Sequence, residues 1–354
     1  MTRRRNFVRV SRGRAADGWA GSSWAVRVFS VVIPTFNRRE KLLRAVSSVL
    51  AQRYTDYEVI VVDDGSSDDT PEALARLGSK VVAIRQPNLG PAAARMAGVR
   101  AAKGDYVAFL DSDDLWFPWS LETMARAIER HEHPSWLYGS GVDMDAAADY
   151  QAQPERTLST KFSSSYLAAA ASEGLMPLPS GVAVSRSVLL ESGGFRAGLH
   201  VGEDVDLWFR IREHNGFVLV EAPLLFARER HAGSLGEDIP RSHAGMNELF
   251  RNEVRGTYGG TVDAAFVRRA IITRQLMYYA ESYVIRGQRR LAVSSYLKVL
   301  SLQARSRFRE PAFGGSRNRF LLSFFVLATC PPLYGLLRPY LSRRSPTGRM
   351  FDRG

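Results

Sequence analysis

Among 354 residues there is one cysteine, Cys330. A single thiol excludes an intramolecular disulfide and any metal site built from several cysteines, and it points to a reducing compartment. Lysine is scarce as well, supplying five of the 48 basic residues in a chain of formal charge +12. We read the arginine excess of this Ala-, Arg- and Gly-rich chain as a bias of composition rather than selection for gripping phosphate. There is no P-loop, and no Gly-x-Gly entry loop followed by lysine, which argues against the nucleotide chemistries built on those loops. Residues 1–27 carry Arg3, Arg4 and Arg5 but lack the apolar core of a signal peptide. They read as a disordered basic arm.

The positive charge sits at the ends. Residues 1–14 hold six arginines and no acid, and residues 305–354 hold ten arginines against Glu310 and Asp352. The middle of the chain is therefore nearly balanced and offers no basic surface for nucleic acid. With 45% hydrophobic and 24% charged residues, it buries a substantial core.

From Val28 onward strands and helices alternate. Val28-Phe-Ser-Val-Val-Ile33 is a β-branched run, and Arg39 to Ala51 places Leu42, Leu43, Val46, Val49 and Leu50 at helical spacing. Tyr57 to Val62 reads as strand, Thr70 to Leu77 as helix, Lys80 to Ile84 as strand, Gly90 to Ala101 as helix and Tyr106 to Leu110 as strand. This alternation implies an α/β fold with a mostly parallel sheet covered on both faces, and such sheets bind ligands beyond the carboxyl ends of their strands. Pro118 to Arg130 continues as helix, Trp136 to Gly139 as strand, and residues 143–178 form a poorly periodic region over the pocket. Later come a strand at Val182 to Val184, helices at Arg186 to Glu191 and from Gly202, and strands at Phe217 to Val220 and Leu224 to Ala227. Residues 241–306 are helical in pattern.

The fourth strand runs into Asp111-Ser-Asp113-Asp114, three carboxylates within four residues. Crowded carboxylates repel one another unless a cation lies between them, and a hard divalent ion with oxygen ligands is the usual solution. Mg²⁺ held by one or two carboxylates takes substrate phosphates to complete its shell, so the cluster implies a phosphate-bearing ligand.

Taken in order, Ser30-Val-Val-Ile-Pro-Thr-Phe-Asn37, Val61-Val-Asp-Asp-Gly-Ser-Ser-Asp-Asp-Thr70, Asn88-Leu-Gly-Pro-Ala-Ala-Ala-Arg95, Leu110-Asp-Ser-Asp-Asp114, Gly193-Gly-Phe195 and Gly202-Glu-Asp204 resemble the family 2 glycosyltransferases of the inverting, metal-dependent type. The resemblance covers about Phe29 to Ser234. It implies a GT-A type αβα domain over residues 28–240, a helical extension over 241–306 and a nucleoside diphosphate sugar donor. Pro34, Thr35 and Phe36 would then hold the nucleoside; Phe36 offers an apolar wall to the base or fills the core at a strand end. Asp64 would accept a base N–H, which suits uracil and also guanine, with UDP favoured, while Asp63 reads as a turn residue. Arg95 would steady the nucleotide. Asp111 would hold the ribose with Ser112 beside it, and Asp113 would bind Mg²⁺ or Mn²⁺, with Asp114 beginning the next turn. Asp204 matches the general base, and Glu203 helps at the pocket or caps the helix. Asp206 is expected at the solvent and Trp208 in an apolar helix face. His231, in Arg228-x-x-His231-x-Gly-Ser234, lies near the metal or diphosphate or is structural.

Two other classes fit parts of the pattern. A receiver-like phosphoacceptor domain has its acidic pair after the first strand and a lysine after the last, neither of which occurs here. A nucleotide-sugar binding protein without catalysis would not need both Asp113 and Asp204. Residues 307–354 form a basic tail in which the uncharged, mostly apolar run Phe320 to Leu337 is slightly short of the roughly 20 residues that span a bilayer and is broken by Pro331-Pro332. It reads as a peripheral, interfacial membrane contact. The expectation is a cytoplasmic enzyme at the inner face of the cell membrane, acting on a glycan or lipid-linked acceptor.

Overall fold

The computed structural model describes residues 29–144, 150, 153–199, 201–229 and 238–305. The chain divides into two compact units, Met1–Ser234 and Leu235–Gly354. The basic arm expected at 1–27, the tail expected at 307–354 and His231 lie outside the described residues.

The first unit opens with β1 (Phe29–Thr35), α1 (Arg39–Leu50), β2 (Tyr57–Asp63), α2 (Thr70–Leu77), β3 (Val82–Arg85), α3 (Pro91–Ala101) and β4 (Tyr106–Phe109). Every residue of β1 is buried, so the strand reads as a continuous apolar run, as expected where both faces of a sheet are covered. On α1, Leu42, Ala45, Val46 and Val49 form the buried stripe. α3 begins with Pro91 in its first turn and lies close against β1, because a Cβ on Gly98 would stand 2.4 Å from Val32 Cγ1.

The chain continues through β5 (Asp114–Trp116), α4 (Ser120–Arg130), β6 (Trp136–Gly139), β7 (Gly141–Met144), β8 (Ser159–Ser163), α5 (Tyr166–Glu173), β9 (Val182–Ser185), α6 (Arg186–Glu191), α7 (Glu203–Trp208), β10 (Phe217–Ala222) and β11 (Phe226–Glu229). Eight strands form one sheet in the order β3-β2-β1-β4-β9-β6-β10-β8. β1 is parallel to β2 and β4, β2 to β3, and β10 to β6. The sheet is mostly parallel, as expected; its antiparallel members are β9, between β4 and β6, and β8, at the edge beside β10. The direction of β9 follows from where it starts: the Ser180-Gly181 turn that feeds it already lies at the carboxyl end of β4, where the Asp111 N–H donates to Ser180 Oγ at 3.1 Å.

The region 143–178, read as irregular, contains β8 and α5. β8 pairs antiparallel with β10 at the sheet edge, and its residues Ser159-Thr-Lys-Phe-Ser163 are mostly exposed, so no apolar alternation marks it. A second, three-stranded sheet of order β5-β11-β7 stands beside the acidic cluster. Phe117 lies stacked between Trp119 at 5.1 Å and Tyr150 at 5.0 Å in the small core adjoining this sheet.

The second unit contains α8 (Ile239–Val254), α9 (Val262–Ile285) and α10 (Arg289–Arg305). Glu253 is buried and takes Arg268 at 2.8 Å and Arg269 at 2.9 Å. His243 lies between the Tyr283 hydroxyl and Ser295 Oγ, each at 3.0 Å, and burial brings its pKa down to about 4. Among the described residues no helix is long and apolar enough to cross a membrane.

Candidate active site

The carboxyl ends of β1, β2 and β4 carry the Pro34–Asn37 loop, the Asp63–Thr70 loop and the acidic loop. At the end of β1, Pro34 and Thr35 are buried and Phe36 is 41% exposed, so the aromatic ring is available to a ligand and does not fill the core. Thr35 Oγ1 is buried with no hydrogen-bond partner, an unusual state for a hydroxyl. Asn37 adopts φ 51° and braces the neighbouring loop, accepting the Ser67 N–H at 2.7 Å while its own N–H donates to Ser66 Oγ at 2.8 Å.

After β2, Asp63 accepts the Ser66 N–H at 2.9 Å, as a turn residue should. Asp64 is buried and accepts Gln86 Nε2 at 2.7 Å and the N–H groups of Leu89 at 2.9 Å and Gly90 at 2.8 Å. A carboxylate has about four acceptor positions. Three are committed to holding the segment from Gln86 to Gly90, a bracing role that the motif alone did not assign to Asp64.

The centre of the site is Arg95, 4% exposed. Its guanidinium donates from Nη2 to Asp111 Oδ1 and from Nη1 to Glu203 Oε1, both at 2.6 Å, and lies 5.4 Å from the centre of the Phe195 ring. Burial alone would lower its pKa, but Asp111 and Glu203 hold it well above the usual arginine value. One cation thus ties the acidic loop after β4 to the first residue of α7. Glu203 is buried and engaged in that ion pair, so the structure gives it a definite partner in place of the open choice between pocket and cap.

Asp204 follows directly and is only partly buried. Burial and the neighbouring Glu203 charge push its pKa up to about 7, within the range where a carboxylate works as a base near neutral pH. Asp206, expected at the solvent, is instead fully buried. It holds Arg210 at 2.7 Å, and Arg210 in turn donates to the carbonyls of Ser192 and Gly194. The reason is the next turn of chain: an arginine four residues on gives the carboxylate a buried partner, and the pair fixes the Gly193-Gly-Phe195 turn that presents Phe195 to Arg95. Trp208 is core, as expected, stacked on Trp136 at 4.9 Å.

Within the acidic cluster the three aspartates differ. Asp111 meets Arg95, and Asp113 meets Arg38 Nη1 at 2.6 Å. Asp114 does not merely begin a turn: it is buried as the first residue of β5 and accepts Ser180 Oγ, and burial with the charges of Asp111 and Asp113 raises its pKa well above the ordinary aspartate value. Ser112 is buried. Ser180 therefore links the loop on both sides, and its carbonyl also accepts Trp116 Nε1 at 2.7 Å. Sequence reasoning passed over Arg38. It was legible as the first of the basic residues Arg38, Arg39, Lys41 and Arg44 that follow Asn37.

No cluster of three or more His, Cys, Asp or Glu side chains able to hold a metal occurs among the described residues. Among the described residues no full protein cage is built, but the donor set suits a divalent cation completed by phosphates: Asp113 supplies a hard oxygen, and the Arg38 guanidinium already sits on it as a positive group would.

Residues 30–189 match Glycosyl transferase family 2. An uncharacterized glycosyltransferase of Rickettsia conorii is 39% identical over 104 residues, covering 29% of this chain and 17% of that protein. The succinoglycan biosynthesis protein ExoW of Rhizobium meliloti is 40% identical over 110 residues, covering 29% of this chain and 34% of its own. The chain thus spans about a third or less of the length of these relatives. The structure of S. aureus TarS in complex with UDP-GlcNAc superposes with TM-score 0.61 at 16% identity, covering 86% of this chain and 89% of that one, and shares the fold.

Proposed function

We propose that this protein is an inverting glycosyltransferase that moves a sugar from a nucleoside diphosphate donor, UDP favoured, to a hydroxyl of a glycan or lipid-linked acceptor. The observation that carries the reading is the Asp111–Arg95–Glu203 bridge, which holds the phosphate-side loop and the carboxylate pair Glu203-Asp204 in one constellation. The catalytic domain is assigned to residues 28–240, with 241–306 as a helical extension.

Pro34, Thr35 and Phe36 form the nucleoside pocket, where the unpartnered Thr35 hydroxyl is free to bond the ligand. Asp64 retains one acceptor position for a base N–H, and Asp111 with Ser112 lies on the ribose side. Arg95 steadies that side by fixing Asp111. Asp113 is the protein ligand for Mg²⁺ or Mn²⁺, with His231 as a further ligand. A divalent ion bound there supplies Lewis-acid stabilisation to the departing diphosphate.

Asp204 takes the proton of the acceptor hydroxyl as that oxygen bonds to the anomeric carbon on the face opposite the diphosphate. The bond to the diphosphate oxygen breaks in the same step, and its electron pair leaves with the nucleoside diphosphate. Because a carboxylate is a weak base towards an alcohol, proton transfer and attack are concerted. Residues 307–354 provide peripheral contact with the cytoplasmic face of the membrane; equal liposome binding after deletion of residues 315–354 would remove that assignment.

The deciding experiment is calorimetric titration with UDP, GDP and dTDP, with and without Mn²⁺, on wild type and Asp113→Ala. Metal-dependent binding of UDP, lost in the variant, is the expected result. Binding of none of the three would sink the enzyme reading.

A further inference from the structure

The turn joining α9 to α10 presents an unbroken exposed stretch, Ile285 to Leu291. It mixes two chemistries. Ile285 is 60% exposed and Leu291 42%, with Tyr278 two turns back on the face of Ile285, also exposed. Between the two aliphatic residues stand Arg286, Arg289 and Arg290. None of these arginines pairs with a carboxylate among the described residues, and Glu281, the nearest acid in sequence, already has an interaction of its own. From Ser282 to Arg305 the chain has five basic residues and no acidic one.

Free cations on a short tip would by themselves be an ordinary solvated turn. Exposed Ile and Leu among them change the reading, because an interfacial element needs apolar side chains to enter the acyl boundary and cations to meet anionic headgroups. We propose that the α9–α10 hairpin tip is a docking point for an anionic lipid surface, with Ile285 and Leu291 inserting shallowly and Arg286, Arg289 and Arg290 lying at the headgroups. The site is separate from the basic tail assigned above and deepens the membrane-face reading, on which it rests. It orients the helical unit on the bilayer, so that a lipid-linked acceptor and the enzyme share one surface.

Sedimentation of the full-length protein with vesicles of phosphatidylcholine alone, or with one third phosphatidylglycerol, tests this. Binding is expected only with the anionic vesicles and is expected to weaken in high salt. Reversing all three charges (Arg286→Glu, Arg289→Glu, Arg290→Glu) should lower the apparent partition coefficient by about 100-fold or more. Ile285→Ser with Leu291→Ser should also weaken binding while leaving its salt dependence in place. All five side chains are exposed, and far-UV circular dichroism checks that the variants fold. The proposal is overturned if wild type binds neither vesicle, binds both equally, or is unaffected by charge reversal. It is equally overturned if reversal removes binding to duplex nucleic acid but not to vesicles. Donor binding measured without vesicles reports on the transferase reading separately.

Discussion

Asp204 and Glu213 both have pKa values raised to about 7, but for different reasons and with different consequences. At Asp204, burial and the adjacent Glu203 charge are responsible, and the side chain remains partly open to the crevice. A base must be ionised to act, so kcat/KM should rise with pH through an apparent midpoint near 7 and be lost on the acid side. Asp204→Asn should lower kcat by about 10²- to 10⁴-fold with little change in UDP affinity; an unchanged rate would assign the proton to another group. At Glu213 burial is the cause, and the carboxylate accepts Trp136 Nε1 at 2.7 Å and the Tyr166 N–H at 2.6 Å. Its folded pKa lies above the ordinary 4.5, so the folded state keeps a proton that the unfolded state releases. Stability should therefore fall as pH rises from about 4.5 to about 7 and stay lower beyond, by up to roughly 3 kcal/mol. Glu213→Gln keeps an acceptor for both donors and should unfold at a higher temperature than wild type at pH 8, with the difference shrinking towards pH 5.

Between elements, the most consequential link is the one Arg95 makes from α3 to the loop after β4 and to α7. Removing one member of a buried ion pair leaves the other charge uncompensated, at a cost of about 3–5 kcal/mol. Arg95→Ala should show that loss in urea titration and should weaken nucleotide binding as well. Arg95→Lys cannot reach two carboxylates as a fork does, so it should fall between the two. Had Arg95 been a surface residue, neither measurement would move. The antiparallel insertion of β9 is the second such link. It brings Ser180 against Asp111 and Asp114, and no periodicity in residues 164–181 announces it, because the strand's direction is set by where the preceding loop delivers the chain.

Across the chain, two compact units should appear as two transitions in scanning calorimetry. UDP with Mn²⁺ should raise only the transition of the first unit, by about 2.7 kcal/mol at a hundred times Kd, and Asp113→Ala should abolish the rise. A shift of both transitions would mean that the units unfold together.

The α/β alternation, the strand-end motifs and the acidic loop were all readable in order along the chain, because each is a local pattern: a buried β-branched run, a helical stripe, charges where a strand stops. Helices α1 and α2 fall within a residue of their expected bounds for that reason. What local pattern could not express was the partner of each charge. Glu203 and Asp111 stand 92 positions apart and meet only because Arg95 is buried between them; Asp206 looks solvent-facing until Arg210 closes on it; Asp64 is spent largely on a loop 25 residues away. Polar β8 left no apolar signal, since an edge strand exposes most of its side chains. Residue types and their order settled which groups this protein brings to its site, and tertiary packing alone decided which carboxylates are paired, which are buried and which one, Asp204, stays partly open to the crevice, because burial and charge pairing depend on neighbours that the chain supplies from a distance.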